Sequence, residues 1–256
     1  MIVESEKELE WLRAGGRSLA SILERVVAAA KAGTSTKELD GLAEALILSS
    51  GGDPVFKGYR SGKKEKPFPT TLCVSLNDEV VHGLPSTKRI LKSGDIISID
   101  FGMRYPAGIG LITDMAVTVG VGKISPEAER LLGVTRDALD IGIRQIKAGT
   151  KTGDLGYAIQ RHIEENGFGV IRELMGHGVG RKLHEDPNLP NYGFPGEGKI
   201  LVENMVLALE PMAAAGSPEV RLDKDGWTWR TRDGKLAAHF EHTVVVTKGG
   251  AEILTE

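Results

Sequence analysis

Apolar residues recur every three or four positions over the first thirty residues, which is the pattern of an amphipathic helix. Ser5 and Glu8 have the spacing of a capping box that opens this helix, and Gly33 follows its end. A second helical repeat opens at Ser35 and is stopped by the glycines at Gly51. The first fifty residues therefore predict two successive helices.

Apolar and polar residues alternate in several short runs from there to about Val119, which predicts β-strands. Helical spacing returns at Ser125, where a proline follows as the first helical residue. Gly149 separates this third helix from a fourth that ends at Gly167, and strands are predicted from there to the C-terminus. Each half of the chain thus has the order helix, helix, strands, which gives an α+β fold.

Short segments of the first half recur in the second half in the same order. ILKSGDIISID at residues 90–100 aligns without a gap with ILVENMVLALE at residues 200–210, and KAGTST at 31–36 matches KAGTKT at 147–152. His82 corresponds to His184, and Asp114 corresponds to Glu241. We interpret the chain as one domain, residues 1–256, with pseudo-two-fold repeats at about 5–122 and 123–254.

Four carboxylates lie on apolar strands of these repeats. We expect Asp100 and Glu210 at strand ends, Asp114 on the strand that returns from Asp100, and Glu241 inside a late strand. Two aspartates on one hairpin face can share an ion. Buried, unpaired carboxylates cost several kcal/mol each, so that four of them require a cation. The pattern therefore predicts a metal site where the two halves meet.

Imidazole ligands are available in the segment MGHGVGRKLHEDP, which contains His177 and His184 among turn glycines. Oxygen-rich coordination with an imidazole suits Mn, Fe, Co or Zn. Four carboxylates carry more charge than one divalent ion requires, and we expect two ions about 3.5–4 Å apart that activate a water for hydrolysis.

Composition limits the other possibilities. The formal net charge is −3 over 256 residues, with 41% hydrophobic and 26% charged residues, which does not favour DNA binding. The single cysteine, Cys73, fits a reducing compartment. The charged N-terminal segment lacks the apolar region of a signal peptide, and no apolar run has the length of a membrane span. We expect a cytoplasmic protein without membrane contact.

Five basic residues against one acidic residue mark the longest irregular stretch, residues 56–69. One interpretation is a solvated surface loop. The alternative is a basic contact to an anionic partner such as ribosomal RNA, which predicts a transient ribosome contact.

Seven motifs follow one another in a fixed order: FPTTLCVSLNDEVVHGLP, GDIISIDFG, TDMAVTVGVG, MGHGVGRKLHEDP, ALEPM, DGWTWRTRDG and AAHFEHTVVVT. Together they resemble the type I methionine aminopeptidases of the pita-bread fold, in the bacterial form without an N-terminal extension. The resemblance extends from about residue 5 to residue 254 and implies a curved antiparallel sheet and a monomer.

The resemblance implies a function for each candidate residue. It implies a metal-dependent aminopeptidase that removes the initiator methionine from peptides or nascent chains with a metal-bridging water. Two divalent ions would be held by Asp100, Asp114, His177, Glu210 and Glu241, with Asp114 and Glu241 bridging both. Glu210 would also be the proton shuttle.

The remaining residues implied by the resemblance contact the substrate. His184 would hydrogen-bond the substrate and stabilise the tetrahedral intermediate, and His82 would contact the scissile amide. An apolar methionine pocket would be formed by Tyr59, Phe68, Cys73, Leu183 and Trp227.

The chain departs from the family pattern at three places. The interval of fourteen positions between Asp100 and Asp114 is longer than usual, which predicts a longer hairpin turn at Tyr105 and a changed cleft rim. The basic segment 61–66 looks inserted beside Tyr59 and Phe68. His239 replaces a common glutamine, and by strand alternation it faces the same way as Glu241. We expect His239 to hydrogen-bond one of the metal-binding residues and not to bind the metal itself.

Two other functions remain open at this point. A proline-specific aminopeptidase or dipeptidase of the same fold would share the five metal ligands but generally carries an additional N-terminal domain. A non-catalytic binding protein of this fold would be expected to have lost ligands, and all five are present.

Overall fold

Four α-helices flank the sheets in the computed structural model, which describes residues 1–60, 62 and 66–256. The helices are α1 (Glu6–Ala29), α2 (Thr36–Ser49), α3 (Pro126–Gln145) and α4 (Thr152–Glu165). These are the four helices expected from the sequence. The predicted boundaries agree with the observed ones within about two residues, except that α3 ends at Gln145, four residues before the predicted separator Gly149. None of the helices formed by the described residues is long and apolar enough to cross a membrane.

Capping side chains begin the helices where the sequence predicts them. Ser5 accepts a hydrogen bond from the backbone N–H of Glu8 at the start of α1. Ser35 and Glu38 form both bonds of a capping box at the start of α2, and Ser125 caps α3. These bonds satisfy N–H groups that have no partner inside the helix.

Fifteen strands are formed by the described residues, in two groups that follow the helix pairs. The first group is β1 (Asp53–Pro54), β2 (Cys73–Leu76), β3 (Glu79–Val81), β4 (Ile96–Tyr105) and β5 (Leu111–Gly120). The second is β6 (Gly169–Val170), β7 (Met175–Gly178), β8 (Glu185–Pro190), β9 (Val206–Leu209), β10 (Met212–Ala214), β11 (Val220–Leu222), β12 (Trp229–Thr231), β13 (Ala237–His239), β14 (His242–Val246) and β15 (Ala251–Ile253).

The two larger sheets are antiparallel throughout. In the first half β4 pairs with β1, β2 and β5. In the second half the strand order is β15-β14-β9-β7-β8. The long hairpin of β4 and β5 has its counterpart in the pair of β9 and β14, as the repeated segments predict.

Equivalent segments of the two repeats make the same backbone contacts. The N–H of Gly33 donates to the carbonyl of Leu91 at 2.9 Å, and the N–H of Gly149 donates to that of Leu201 at 2.8 Å. An isolated β-bridge joins Ser35 to Ile90 in the first half, and another joins Lys151 to Ile200 in the second. The repeated sequence letters therefore correspond to a repeated local structure.

The halves are joined where β5 approaches the segment before β14. Ala116 and Glu241 form a β-bridge, and the N–H of Asp114 donates to Oγ1 of Thr243 at 2.8 Å. The hydroxyl of Thr243 in turn donates to the carbonyl of Asp114 at 2.8 Å. This contact brings the predicted partners Asp114 and Glu241 together although they are far apart in sequence.

Each helix pair packs on its own apolar cluster. Leu12, Leu19 and Leu39 of α1 and α2 are fully buried against Ile99 and Phe101 of β4. The corresponding cluster of the second half contains α3, α4 and the inner faces of β9 and β14. Burial of such side chains contributes about 1.5–3 kcal/mol each, which stabilises the frame that holds the polar strand residues.

Two strand positions differ from the sequence prediction. Asp100 was expected at a strand end, but β4 continues to Tyr105, because residues after Asp100 pair with β1 on one side and β5 on the other. Glu241 was expected inside a strand, but it lies between β13 and β14, where the chain forms its bridge to Ala116. The turn between β4 and β5 is residues 106–110, at the position expected from the sequence.

Candidate metal centre

All five predicted metal ligands line one cavity of about 220 Å³ at the seam of the two halves. Asp100, Asp114, His177 and Glu241 are buried, and the side chain of Glu210 is 12% exposed. His82 and His184 lie on the wall of the same cavity. The structure thus brings together seven residues that are spread over 160 positions of the sequence.

The two aspartates lie diagonally on one face of the β4–β5 hairpin. Asp114 is directly opposite Gly102, and Asp100 is directly opposite Ala116. A Cβ atom at position 102 would lie 3.2 Å from Oδ1 of Asp114 and 2.8 Å from the side chain of Val55. The glycine therefore leaves room for the Asp114 carboxylate, and a glycine inside a strand is a sequence signal for such a close approach.

Glu210 follows β9 directly and lies between two imidazoles. Its Oε1 is 3.7 Å from Nε2 of His177, and its Oε2 is 3.3 Å from Nε2 of His239. The carboxylate of Glu241 is also near, with Oε2 at 3.9 Å from Nε2 of His239. His239 does face the same way as Glu241, as the strand alternation predicts.

Burial and mutual repulsion disfavour ionised carboxylates in this cavity. Burial, followed by the charge of Glu210, raises the pKa of Asp114 to about 8. Burial also raises the pKa of Asp100, Glu210 and Glu241 well above the usual range, and neighbouring carboxylates add to this for Asp100 and Glu241. The attraction of a cation among them would offset both effects and favour the ionised carboxylates.

The imidazoles are neutral at physiological pH. Burial is the main cause that lowers the pKa of His82 to about 4 and those of His177 and His239 to about 3. The pKa of His184 is lowered by burial as well. A neutral imidazole keeps a lone pair, which a metal ligand requires.

Several buried polar atoms of the centre lack a protein partner. Among the described residues, no hydrogen bond reaches Oδ1 of Asp100, Oε1 of Glu241 or either ring nitrogen of His239. Two groups offer three ligand atoms each within 4.8 Å of one another: Asp114, His177 and Glu241, and Glu210, His239 and Glu241. Buried oxygen and nitrogen atoms without partners fit divalent cations as the missing partner.

A second, apolar cavity of about 260 Å³ adjoins the first. Its walls include all five residues expected for the methionine pocket: Tyr59, Phe68, Cys73, Leu183 and Trp227. His82, His184 and Phe56 line both cavities. The rings of Phe68 and Trp227 are in edge-to-face contact, with centroids 5.2 Å apart, so that the walls are packed.

The ring of His184 is held by two aromatic neighbours. The hydroxyl of Tyr59 lies 2.7 Å from its Nδ1, and the rings of His177 and His184 meet edge to face with centroids 4.5 Å apart. His82 has a left-handed backbone conformation, with φ of 58°, a strained state for a residue with a side chain.

Sequence reasoning missed Phe56, Gly102 and Thr243. Phe56 lines both cavities, and Thr243 holds the backbone of Asp114. Of the basic stretch, residues 61 and 63–65 lie outside the described residues, and Lys57 pairs with Glu44 at 2.6 Å.

Comparison with known proteins agrees with this geometry. The model of metallopeptidase family M24 matches residues 10–248. Methionine aminopeptidase 1 of Bacillus subtilis is 45% identical over 255 residues, covering 100% of this chain and 99% of that protein. The crystal structure of methionine aminopeptidase from Thermotoga maritima superposes with a TM-score of 0.93 at 42% identity, covering 100% of both chains.

The chain therefore belongs to metallopeptidase family M24, and within that family to the methionine aminopeptidases. Its fold is the pita-bread fold expected from the sequence motifs. An Xaa-Pro dipeptidase from Bacillus anthracis shares this fold with a TM-score of 0.77, at 20% identity, and this chain spans 62% of it.

Proposed function

We propose that this protein removes the N-terminal methionine from peptides and nascent chains by metal-dependent hydrolysis. The observation that carries the proposal is the adjacency of two cavities, one lined by carboxylates and the other by apolar side chains. They share His82 and His184 on their common wall. A methionine side chain in the apolar cavity would place its peptide bond at the carboxylates.

The proposed metal ligands are Asp100, Asp114, His177, Glu210 and Glu241. The donor set supports two divalent ions, drawn from Co, Mn, Fe or Zn, because the buried negative charge exceeds what one ion neutralises. When bound, such a pair supplies Lewis-acid activation of a water for attack on a peptide carbonyl.

Glu210 is the residue that we assign to proton transfer. Its carboxylate lines the carboxylate cavity, with Oε1 3.7 Å from Nε2 of His177, and in that position it could take up a proton from a metal-held water and return it to the leaving amine. Its backbone carbonyl accepts a hydrogen bond from Nδ2 of Asn191 at 2.9 Å, which fixes the backbone from which the side chain extends.

His184 and His82 position the substrate in this proposal. When the hydroxyl of Tyr59 donates to Nδ1 of His184, the proton of the ring is on Nε2, which can then donate to a substrate carbonyl oxygen. The strained backbone of His82 holds its side chain on the wall shared by both cavities.

The apolar cavity selects the first residue. Cys73, Phe68 and Leu183 are buried, and they offer an apolar and partly sulfur-lined surface to an unbranched thioether. A β-branched or charged first residue would lose these contacts. A cytoplasmic location and a transient ribosome contact through residues 57–66 stay predictions.

Peptide hydrolysis by the metal-loaded protein tests the proposal. We expect Met-Ala-Ser to be cleaved to free methionine much faster than an Xaa-Pro peptide of equal length, with activity lost on chelation and restored by Co²⁺ or Mn²⁺. Faster cleavage of the Xaa-Pro peptide would assign the chain to the proline-specific activity. Absence of metal binding at micromolar ion would favour a non-catalytic binding protein.

A further inference from the structure

His239 ends strand β13 and is almost completely buried, with 1% of its surface exposed. Its Nε2 lies 3.3 Å from Oε2 of Glu210 and 3.9 Å from Oε2 of Glu241. Two carboxylates of the metal centre therefore face this ring. The backbone of His239 is held in place on both sides, because its N–H donates to Oγ1 of Thr118 and its carbonyl accepts from that hydroxyl, both at 2.8 Å.

The ring does not form the hydrogen bond that the sequence predicts for it. Among the described residues, neither Nδ1 nor Nε2 has a partner of acceptable geometry, although Glu210 is near. A buried polar group without a partner costs about 1–3 kcal/mol. The backbone of His239 is fixed and its ring nitrogens have no hydrogen-bond partner, which is the arrangement expected of a side chain that binds an ion.

The donor atoms around His239 have the spacing of a coordination sphere. One ring nitrogen of His239 and one oxygen each of Glu210 and Glu241 all lie within 4.8 Å of one another. Bonds of about 2.1 Å to a common ion place two ligand atoms at most about 4.2 Å apart. The separations of 3.3 and 3.9 Å from Nε2 satisfy this limit.

We propose that His239 binds a divalent ion directly through Nε2, together with Glu210 and Glu241, so that the centre has two imidazole ligands. The proposal rests on the metal-dependent function proposed above. His177 lies on the opposite oxygen of Glu210, so each oxygen of this carboxylate has its own imidazole neighbour. A second imidazole makes the donor set richer in nitrogen, which favours Co, Fe or Zn over Mn.

X-ray absorption of the Zn- or Co-loaded full chain counts imidazole ligands directly. We expect two imidazoles per metal cluster in the unaltered protein and one in the variant His239→Gln, which restores the glutamine common in the family. The matched control is His162→Gln, a histidine on α4 outside the metal-lining residues, which should leave the count at two.

Calorimetric titration with Co²⁺ and Mn²⁺ provides a second measurement. His239→Gln should weaken Co²⁺ binding at least about tenfold and Mn²⁺ binding less, because imidazole suits Co better than Mn, while His162→Gln should change neither. One imidazole per cluster in the unaltered protein would overturn the proposal even if the variant did not fold. Equal Co²⁺ affinity in folded His239→Gln would overturn it as well. Failure of the unaltered protein to bind any divalent ion would instead contradict the metal-dependent function.

Discussion

Loading the metal-free protein with a divalent ion at pH 7 should release protons from the carboxylate cavity. In the metal-free chain burial and neighbouring carboxylates raise the pKa of Asp114 to about 8, and those of Asp100, Glu210 and Glu241 well above their usual range. A bound cation requires ionised ligands, so that metal binding displaces the protons these groups hold.

The magnitude follows from the pKa of Asp114. A carboxyl with a pKa of about 8 is about 0.9 protonated at pH 7 and about 0.1 protonated at pH 9. Asp114 therefore contributes about 0.9 of a proton at pH 7. Each of the other three raised carboxyls adds at most one, which gives a release between about 0.9 and about 4 protons for the loaded centre.

Isothermal titration calorimetry in buffers of different ionisation enthalpy measures this number as the slope of observed enthalpy against buffer enthalpy. We expect a slope of at least about 0.9 at pH 7 and a smaller one at pH 9. The control Asp137→Asn removes an exposed carboxylate of α3 and should leave both slopes unchanged. A slope near zero at pH 7 would show that the carboxyls of the metal-free centre are already ionised. It would then contradict the inference that burial raises their pKa.

Three further outcomes are expected. Glu210→Gln should lower kcat on Met-Ala-Ser by about 10²–10⁴ while circular dichroism stays unchanged, since the side chains are nearly isosteric; full activity would exclude its role as proton shuttle. Phe68→Ala should raise KM for methionine peptides and cost about 3–5 kcal/mol of unfolding free energy, because a buried ring is removed, and denaturant unfolding measures this. The pKa of Asp114 is raised from its ordinary value of 3.8 to about 8, so protonation of this carboxyl stabilises the fold of the metal-free chain. This contribution is fully present below pH 3.8 and is lost as the pH rises through about 8. The difference in Tm between metal-loaded and metal-free protein should therefore widen from pH 5 to pH 8, and a constant difference would contradict it.

Helices and repeats were predictable because their signals are local. The capping serines Ser5, Ser35 and Ser125 predict where α1, α2 and α3 begin. The spacing of apolar residues and the glycines between helices predict all four helices, although α3 ends four residues before Gly149. The duplicated segments predict equivalent local contacts, and these are found at Gly33 and Gly149.

Strand ends were predicted less well. A strand stops where its partners stop, and the partners of β4 are distant in sequence. For this reason the chain continues as a strand after Asp100, although the run of glycine and polar residues there is typical of a turn. The same dependence on a partner places Glu241 in a bridge to Ala116 and outside β14.

The sequence alone identifies the residues of the metal centre and of the apolar pocket. Its carboxylates, imidazoles and apolar side chains each lie in a motif that resembles one family. Tertiary structure decides how these groups meet, because their contacts span the two halves of the chain. It places the apolar cavity beside the carboxylate cavity. It also brings the Asp114 carboxylate into the space that a side chain at position 102 would need, and it points the ring of His239 towards Glu210 without a hydrogen bond between them. Distances between side chains on different strands depend on register and packing, and no local pattern of residues encodes them.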